Sequence, residues 1–295
     1  MQTLLVVGCG DIARRALPVL AGRYRMLALV RELAKGEPFA SANVEVILAD
    51  LDDAASLMPL AGRADLVLHL APPSETGTED TRTRNLVLAL ERARILPQRL
   101  VYISTSGVYG DCGADRVDET RGVNPQTERA ARRVDAERIL LSWGDRRGVS
   151  VSILRVPGIY AADRLPIERL KRGMPVLVAE DDVYTNHIHA DDLAAICAIA
   201  LRHALPGAIY NASDDSEMKM GDYFDLVADR NGLSRPPRIT RTEAASVMPP
   251  ALLSFMLESR RLSNRRMKNE LGVTLRYPTV REGVPDLHFA SLAAS

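Results

Sequence analysis

Residues 5–13 read LVVGCGDIA, an apolar strand that runs into a glycine turn and then into a helix. The spacing is G-x-G-x-x-A, which is typical of the first strand–helix turn of a βαβ unit. Gly8 permits the tight turn, Gly10 lets a ligand approach the backbone, and the small Ala13 allows close packing of helix on strand. The stretch predicts a parallel α/β fold with a dinucleotide site; a merely structural glycine turn is the alternative.

The start of the helix after this turn is the predicted phosphate position. Asp11 and Ile12 lie in its first turn, where free N–H groups and the helix dipole favour an anion. A dinucleotide pyrophosphate is the expected ligand. Asp11 also brings a negative charge close to this position. The alternative is a Rossmann scaffold in which this charge weakens nucleotide binding.

The residue after the second predicted strand bears on the choice of dinucleotide. An NAD-selective site carries Asp or Glu there, to accept a hydrogen bond from the ribose 2′-hydroxyl. This chain has Arg31 instead. A guanidinium can bind a 2′-phosphate through two parallel hydrogen bonds, so we predict NADP as the cofactor. NAD is the alternative, with Arg31 in solvent and Glu32 as the ribose partner.

Short apolar runs alternate with segments of helical period through the first 160 residues, which is typical of βαβ units. The predicted strands are 3–7, 25–30, 44–48, 66–70, 99–104, 149–156 and 208–211. The predicted helices are 12–21, 54–60, 81–93, 127–143 and 191–203. Because the strands are almost continuously apolar, helices are expected on both faces of the sheet. We predict the α/β class, as a Rossmann-type doubly wound parallel sheet with a smaller C-terminal substrate lobe.

Prolines and glycines interrupt the chain after residue 156, and the alternation becomes irregular. We predict an NAD(P)-binding domain over 1–158 and a mixed substrate-binding lobe over 159–295, with 190–212 returning to the sheet. Asp191 or Asp192 is expected to cap the helix that begins there.

The charges balance, with 38 Lys plus Arg against 38 Asp plus Glu. Nucleic-acid coats and polybasic membrane tethers need a surplus of positive charge, so neither partner is expected. The longest apolar run, 193–201, is far shorter than the ~20 residues of a membrane-spanning helix. No secretory signal is visible, so a cytoplasmic protein is expected. Cys9, Cys112 and Cys197 are isolated, and no metal site is predicted.

Four further segments resemble the short-chain dehydrogenase/reductase superfamily, in its extended NAD-dependent epimerase/dehydratase branch and the atypical members close to it. They are ADL at 49–51, DLVLHLA at 65–71, YISTSGVYG at 102–110 and HIHADDL at 187–193. The resemblance covers most of the chain, with weaker echoes at 210–211 and 271–272. It implies the same Rossmann-type fold and an NAD(P)-linked oxidoreductase or epimerase activity.

The resemblance also implies positions for the cofactor. Asp50 and Leu51 are expected beside the adenine, and Leu70, Ala71 and Pro72 at the edge of the fourth strand near the cofactor. As an alternative, Asp50 caps a following helix, which is an ordinary use of Asp.

The catalytic centre of the superfamily needs a Tyr as general acid/base, a Lys four residues later and a Ser or Thr that binds the reacting oxygen. Thr105 stands where this branch places its Ser or Thr, flanked by Ser104 and Ser106. The expected Tyr and Lys positions hold Arg129 and Arg133. Because the four lysines of the chain are preceded four residues earlier by Arg, Ile, Asp and Asn, no Tyr-x-x-x-Lys occurs at all.

An arginine cannot exchange a proton near neutrality, since its pKa exceeds 12. Arg133 can still contact the ribose or a phosphate of the cofactor. Arg129 either holds an anionic substrate or lies in solvent. For the proton we rank Tyr109 first; the further candidates, each with a packing role as the alternative, are Tyr160, His187 and His189.

Arginines also recur in the C-terminal lobe, including 260–261 and 265–266, and suit a phosphate or nucleotide-sugar ligand or a solvated face. The predicted function is an atypical NAD(P)-dependent oxidoreductase or epimerase-like enzyme for a small carbonyl or sugar-type substrate. The alternative is a catalytically silent NADP(H)-binding sensor. The chain is predicted to be a monomer or a homodimer.

Overall fold

The computed structural model describes residues 1–286, except for the side chains at 250 and 251. Residues 287–295, the end of the predicted substrate lobe, lie outside the described part. The strands are β1 (Thr3–Val7), β2 (Arg25–Val30), β3 (Glu45–Leu48), β4 (Leu66–His69), β5 (Arg99–Thr105), β6 (Arg116–Val117), β7 (Ser150–Val156), β8 (Gly158–Tyr160), β9 (Val176–Leu177), β10 (Tyr184–Thr185), β11 (His187–His189), β12 (Ile209–Asn211), β13 (Met218–Lys219), β14 (Arg238–Ile239) and β15 (Arg261–Leu262).

The helices are α1 (Asp11–Leu20), α2 (Leu33–Ala40), α3 (Thr81–Glu91), α4 (Glu128–Arg147), α5 (Ile167–Lys171), α6 (Ala190–His203), α7 (Met220–Arg230), α8 (Arg241–Val247), α9 (Pro250–Met256), α10 (Arg265–Leu271) and α11 (Val280–Gly283). Within the described residues, no helix is both long enough and apolar enough to pass through a membrane.

Two stretches differ from the predicted helices. The helix expected over 54–60 is wrong, because only a single 3-10 turn forms there, at Met58–Leu60. Its proline, at the first or second position of that turn, lacks the N–H that a longer helix would need. In contrast, α2 was not predicted, because Gly36 and Pro38 are unfavourable inside helices. Gly36 is needed for packing, since a Cβ there would lie 2.8 Å from Val46 Cγ1.

Seven strands form one parallel sheet, in the order β12-β7-β5-β4-β1-β2-β3. The chain order reverses on the two sides of β1, so the carboxyl ends of β1 and β4 flank the crevice where such folds bind ligands. The predicted α/β class and Rossmann-type sheet are confirmed. β12, after the irregular segment, is the edge strand beside β7.

Helices cover both faces of the sheet, because alternate residues of each strand point to opposite sides. Leu4 and Val6 of β1 join the apolar core that includes α1, α2 and α6 residues, whereas Leu5 and Val7 join the core with α3 and α4. Trp143 of α4 is fully buried in the second core.

A third apolar cluster holds the C-terminal lobe together, with Val176, Phe224 and Val227 at its centre. Asp192 connects this lobe to the sheet, since its carboxylate accepts hydrogen bonds from the backbone N–H groups of residues 276 and 277 at 2.8 and 2.9 Å. The predicted capping role of Asp191 or Asp192 is wrong. The α6 cap is His189, whose Nδ1 accepts the N–H of Asp191 at 3.2 Å.

Candidate functional site

A first cavity, of about 350 Å³, lies at the carboxyl ends of β1, β2 and β4. We call it the nucleotide cavity. Eight residues predicted from the sequence to contact the cofactor line it, namely Gly8, Gly10, Arg31, Asp50, Leu51, Leu70, Ala71 and Pro72. Five others were not predicted, namely Cys9, Leu29, Val30, Lys35 and Arg82. Residues from four separate turns of the chain therefore meet here.

The glycine turn fits a dinucleotide for steric reasons. Gly8 has φ +94°, and a Cβ there would lie 2.4 Å from the backbone nitrogen of Ala71, so this position admits only glycine without rearrangement. A Cβ on Gly10 would meet no atom within 4 Å, which leaves open space over the backbone. Gly10 also begins α1 without a side-chain cap, so N–H groups of the first turn are available to a phosphate.

Ile12 and Ala13 do not line either of the two cavities described in this section. They are buried in the core beneath the turn, at 9% and 2% exposure. Their contribution is to seat α1 against the sheet, so that the helix N-terminus faces the nucleotide cavity.

Asp11 forms salt bridges with two guanidinium groups. Arg15 binds its carboxylate at 3.0 Å and Arg164 binds it at 2.9 Å, and Arg15 also contacts Asp163 and Asp191. Burial alone would raise the pKa of Asp11, but these arginines outweigh it and the pKa is lowered. Asp11 is therefore a fixed anion with local counter-ions, which limits its repulsion of a phosphate.

Cations surround the end of the nucleotide cavity beyond β2. Arg31 is exposed and makes no salt bridge within the described residues. Lys35 lies 3.2 Å from Glu32. Lys35 lines the cavity, whereas Glu32, the alternative ribose partner, does not.

Asp50 does not cap a helix, because a turn follows it. Its carboxylate accepts the N–H of Asp52 at 3.0 Å, and its own N–H donates to Ser56 Oγ at 2.9 Å. Asp52 in turn binds Arg82 through two hydrogen bonds of 2.8 and 2.6 Å. Arg82 also donates to the carbonyl of Pro73 at 3.1 Å, which ties this turn to the segment after β4.

A second cavity, of about 550 Å³, adjoins the first, and Pro72 lines both. We call it the substrate cavity. Its charged and hydroxyl-bearing lining consists of Ser74, Glu75, Thr105, Ser106, Arg129, Arg132, Arg133, Tyr184, Thr185, Glu258 and Arg260. Four arginines face two glutamates, so the lining carries a surplus of positive charge.

Thr105 lies where the resemblance implied, at the end of β5 in the wall of the substrate cavity. Its Oγ1 accepts the backbone N–H of Gly107 at 3.2 Å. The hydroxyl hydrogen therefore stays available to donate to a ligand. Ser106 shares this wall, whereas Ser104 is buried at 2% exposure and does not line the cavity.

Arg133, which was expected to contact the cofactor, does not line the nucleotide cavity; it lines the substrate cavity with Arg129, four residues earlier on α4. Arg133 is anchored, since Nη1 donates to the Tyr102 hydroxyl at 2.9 Å and to the Ile103 carbonyl at 2.7 Å. The Arg129 guanidinium lies 4.1 Å from the ring centroid of Phe255, which projects from α9. Partial burial lowers the pKa of Arg129.

The structure argues against Tyr109 as the proton donor. Tyr109 is 1% exposed, and its hydroxyl donates to Asn211 Oδ1 at 2.8 Å. The Arg155 guanidinium lies over its ring, 4.7 Å from the centroid. Tyr109 does not line the substrate cavity, because the 3-10 turn after β5 directs its side chain into the protein.

The other three candidates also lie away from the cavity. Tyr160 is 1% exposed and donates to the Thr279 carbonyl at 3.2 Å. His187 is buried and packs on Tyr223, and burial lowers its pKa to about 3. His189 caps α6, as described above.

Sequence reasoning missed Tyr184, which is half-buried in the wall of the substrate cavity. Its N–H donates to Ser259 Oγ at 3.1 Å. Nearby, the Asn186 amide donates to the Arg260 carbonyl at 2.9 Å. These bonds join two segments more than 70 residues apart, so no local pattern predicts that Tyr184 and Arg260 share a cavity.

The fold and the glycine turn agree with those of proteins that are similar to this chain. Over 90% of its length it is 28% identical to the GDP-6-deoxy-D-mannose reductase of Pseudomonas aeruginosa, covering 88% of that protein. A conserved protein of unknown function from Silicibacter pomeroyi DSS has a similar structure, with a TM-score of 0.77, 28% identity, and coverage of 100% of this chain and 99% of that one.

The UDP-glucose 4-epimerase of Thermotoga maritima is 16% identical over 100% of both chains, with a TM-score of 0.78, and this likeness concerns the fold alone. Residues 4–213 match the family model described as NAD dependent epimerase/dehydratase family. That match spans more than two thirds of the sequence and includes every residue that lines the nucleotide cavity. The chain therefore belongs to the NAD-dependent epimerase/dehydratase family.

Proposed function

We propose that this protein is an NADP(H)-dependent oxidoreductase or epimerase-like enzyme that acts on a C–O centre of an anionic, sugar-type substrate. The observation that carries the proposal is the junction at Pro72, where a nucleotide cavity meets a positively charged cavity containing Thr105. The similarity to a reductase of a nucleotide-linked sugar supports the substrate class.

The nucleotide cavity supports binding of the adenosine and pyrophosphate part of the cofactor. Gly8 and Gly10 let the pyrophosphate approach the start of α1, and Asp50 and Leu51 flank the adenosine. Arg31, with Lys35 beside it, suits a 2′-phosphate, which is why NADP is proposed over NAD. When bound, the nicotinamide would supply or accept a hydride.

Two hydroxyl groups are proposed to act on the reacting oxygen. Thr105 donates a hydrogen bond to it, because its own acceptor position is taken by the N–H of Gly107. Tyr184 is proposed to exchange the proton, since this residue lines the same cavity, whereas Tyr109 and Tyr160 do not. Arg129 and Arg133, which stand in place of the usual Tyr and Lys, cannot take this role.

The presence of Arg129 and Arg133 in place of the usual Tyr and Lys favours a second candidate function. A chain without the usual Tyr and Lys can retain the nucleotide cavity and lose turnover, and it then acts as an NADP(H) sensor. Both functions require cofactor binding, and only the first requires Thr105 and Tyr184.

The test begins with fluorescence titration of NADPH and NADH. Binding of NADPH is expected, and no binding of either nucleotide at millimolar concentration would remove both candidates. Cofactor oxidation is then measured with a panel of sugar-nucleotide and small carbonyl substrates.

Thr105→Ala and Tyr184→Phe are expected to lower kcat by about 10²-fold or more while NADPH binding stays unchanged, since a hydrogen bond to the reacting oxygen and proton transfer each typically contribute about that much. Tyr109→Phe is the matched control. Binding of NADPH with no turnover of any substrate would favour the sensor.

A further inference from the structure

We infer that Arg129 and Arg133 form an oxyanion site beside Thr105, so that the substrate carries a carboxylate or phosphate next to its reacting carbon. This inference rests on the proposed function and names the substrate class of the same site. It differs from a site for a phosphate far from the reacting carbon, because here the anion lies beside that carbon.

The two guanidinium groups differ from the other arginines of the substrate cavity in their ion pairing. Among described residues, neither makes a salt bridge within 4.0 Å. Arg132, by comparison, contacts Glu128 at 3.8 Å, and Arg260 contacts Glu258 at 3.0 Å. A partly buried cation without a counter-ion is costly unless a ligand supplies the charge.

Both guanidinium groups are held in place. Residues four apart on a helix lie on one face, so Arg129 and Arg133 project side by side into the cavity. One nitrogen of Arg133 is engaged by Tyr102 and Ile103, and its other donors remain for a ligand. A planar guanidinium group fixed in this way can donate two parallel hydrogen bonds to the two oxygens of a carboxylate or to the oxygens of a phosphate.

Phe255 packs against the guanidinium of Arg129. The stacking distance of 4.1 Å orients the Arg129 guanidinium, and Phe255 is 47% exposed, so it adds an apolar surface to the cavity mouth. Glu258 lies near enough to stabilise the charge on Arg129, but its carboxylate is already bound by Arg260. The Arg129 site therefore keeps its capacity for an external anion.

The position of Thr105 limits where the anion lies on the substrate. Arg133 donates to the carbonyl of Ile103, two residues before Thr105 on β5, and Thr105 and both arginines line one cavity of about 550 Å³. An oxyanion held by Arg133 while Thr105 binds the reacting oxygen therefore lies close to that oxygen on the substrate. Oxo acids and phosphorylated hydroxycarbonyl compounds have this arrangement.

The binding experiment uses the full chain saturated with NADP⁺ and two probes, oxalate and inorganic phosphate, in calorimetric titrations. Wild-type protein is expected to bind one or both probes. Oxalate alone indicates a carboxylate site, and phosphate alone indicates a phosphoryl site. Arg129→Gln and Arg133→Gln are expected to weaken binding by about 10- to 100-fold, as for loss of a charge-assisted hydrogen bond. Arg138→Gln, an exposed arginine of the same helix, is the control.

Absence of binding by the wild type, or equal weakening by Arg138→Gln, would overturn the oxyanion site. The dissociation constant of NADPH, measured separately, is expected to be unchanged in Arg129→Gln. A chain that binds no NADPH contradicts the proposed function, whereas one that binds NADPH but neither probe contradicts only this inference.

A kinetic measurement adds an independent readout. A 2-oxo acid is compared with its uncharged methyl ester in wild type and in Arg129→Gln. The acid is expected to have the lower KM in wild type, and the substitution is expected to raise that KM about tenfold and leave the ester unaffected. Equal effects on both substrates would contradict an anion contact at Arg129.

Discussion

The two cavities that meet at Pro72 are constructed differently. The nucleotide cavity consists of turns that each follow a strand, so short motifs such as the glycine turn predict its residues. The substrate cavity combines α4, the end of β5, the 184–186 segment and the 255–260 segment. The comparison teaches that local motifs predict residues at strand ends, whereas a cavity formed between segments distant in sequence is visible only in the tertiary structure.

The largest expected effect tests whether the two glycines of the turn have different roles. Gly8→Ala is expected to lower the free energy of unfolding by about 3 kcal/mol, because it combines a positive φ with a backbone clash. Gly10→Ala is its matched partner, since a Cβ there meets no protein atom. It is expected to leave stability unchanged and to weaken NADPH binding. Thermal denaturation and fluorescence titration measure both effects, and equal destabilisation by both variants would contradict this difference.

A buried carboxyl group makes the C-terminal lobe sensitive to pH. Burial raises the pKa of Asp214 to about 7, and the neighbouring Asp215 adds to the shift. The unfolded carboxyl ionises at a lower pH than the folded one, so its contribution to stability is present at low pH and is lost as pH rises to about 7.

Asp214→Asn is expected to match wild type near pH 4 and to gain on the order of 2 kcal/mol of unfolding free energy at pH 8. Denaturant unfolding across this range measures the difference. A difference in unfolding free energy between the two proteins that stays constant across this pH range would show that Asp214 ionises normally.

The cofactor preference tests the cationic end of the nucleotide cavity. Arg31→Asp is expected to lower the NADPH/NADH affinity ratio about tenfold or more, because it removes a phosphate partner and adds a carboxylate for a ribose hydroxyl. Arg23→Asp, an exposed arginine outside the cavity, is the control. An unchanged ratio in Arg31→Asp would refute the role of Arg31.

The smallest expected effect distinguishes packing from catalysis at Tyr109. Tyr109→Phe removes the hydrogen bond to Asn211 and is expected to lower the free energy of unfolding by about 1 kcal/mol, with kcat unchanged. Chemical denaturation and steady-state kinetics measure the two quantities. A large fall in kcat without loss of stability would restore Tyr109 as the proton donor.

Sequence patterns predicted the sheet and the nucleotide cavity because both depend on local spacing. The strands are apolar runs rich in Leu and Val, and Gly8 and Arg31 each follow one of them directly. Asp50 and Thr105 were expected from the resemblance to the family, and each stands at or shortly after the end of a strand. The 54–60 helix failed because tertiary turns overrode a helical pattern that contained a proline.

Tyr184 and Phe255 were not predictable, and Arg260 was only one of several candidate arginines, since their positions depend on contacts between segments distant in sequence. The Asn186 bonds to the 260–262 segment, at 2.9 and 2.8 Å, bring those residues to the cavity. Tyr109 was misjudged because its direction depends on a single turn after β5, which sequence spacing does not reveal.

The sequence by itself determined the Rossmann-type fold, the dinucleotide turn and the absence of Tyr-x-x-x-Lys, because spacing and residue counts are enough for each. Tertiary structure alone decided which tyrosine lines the substrate cavity and which of its arginines make no salt bridge within the described residues. Those properties depend on where distant side chains meet and on how far each is buried, and neither quantity is a function of local sequence.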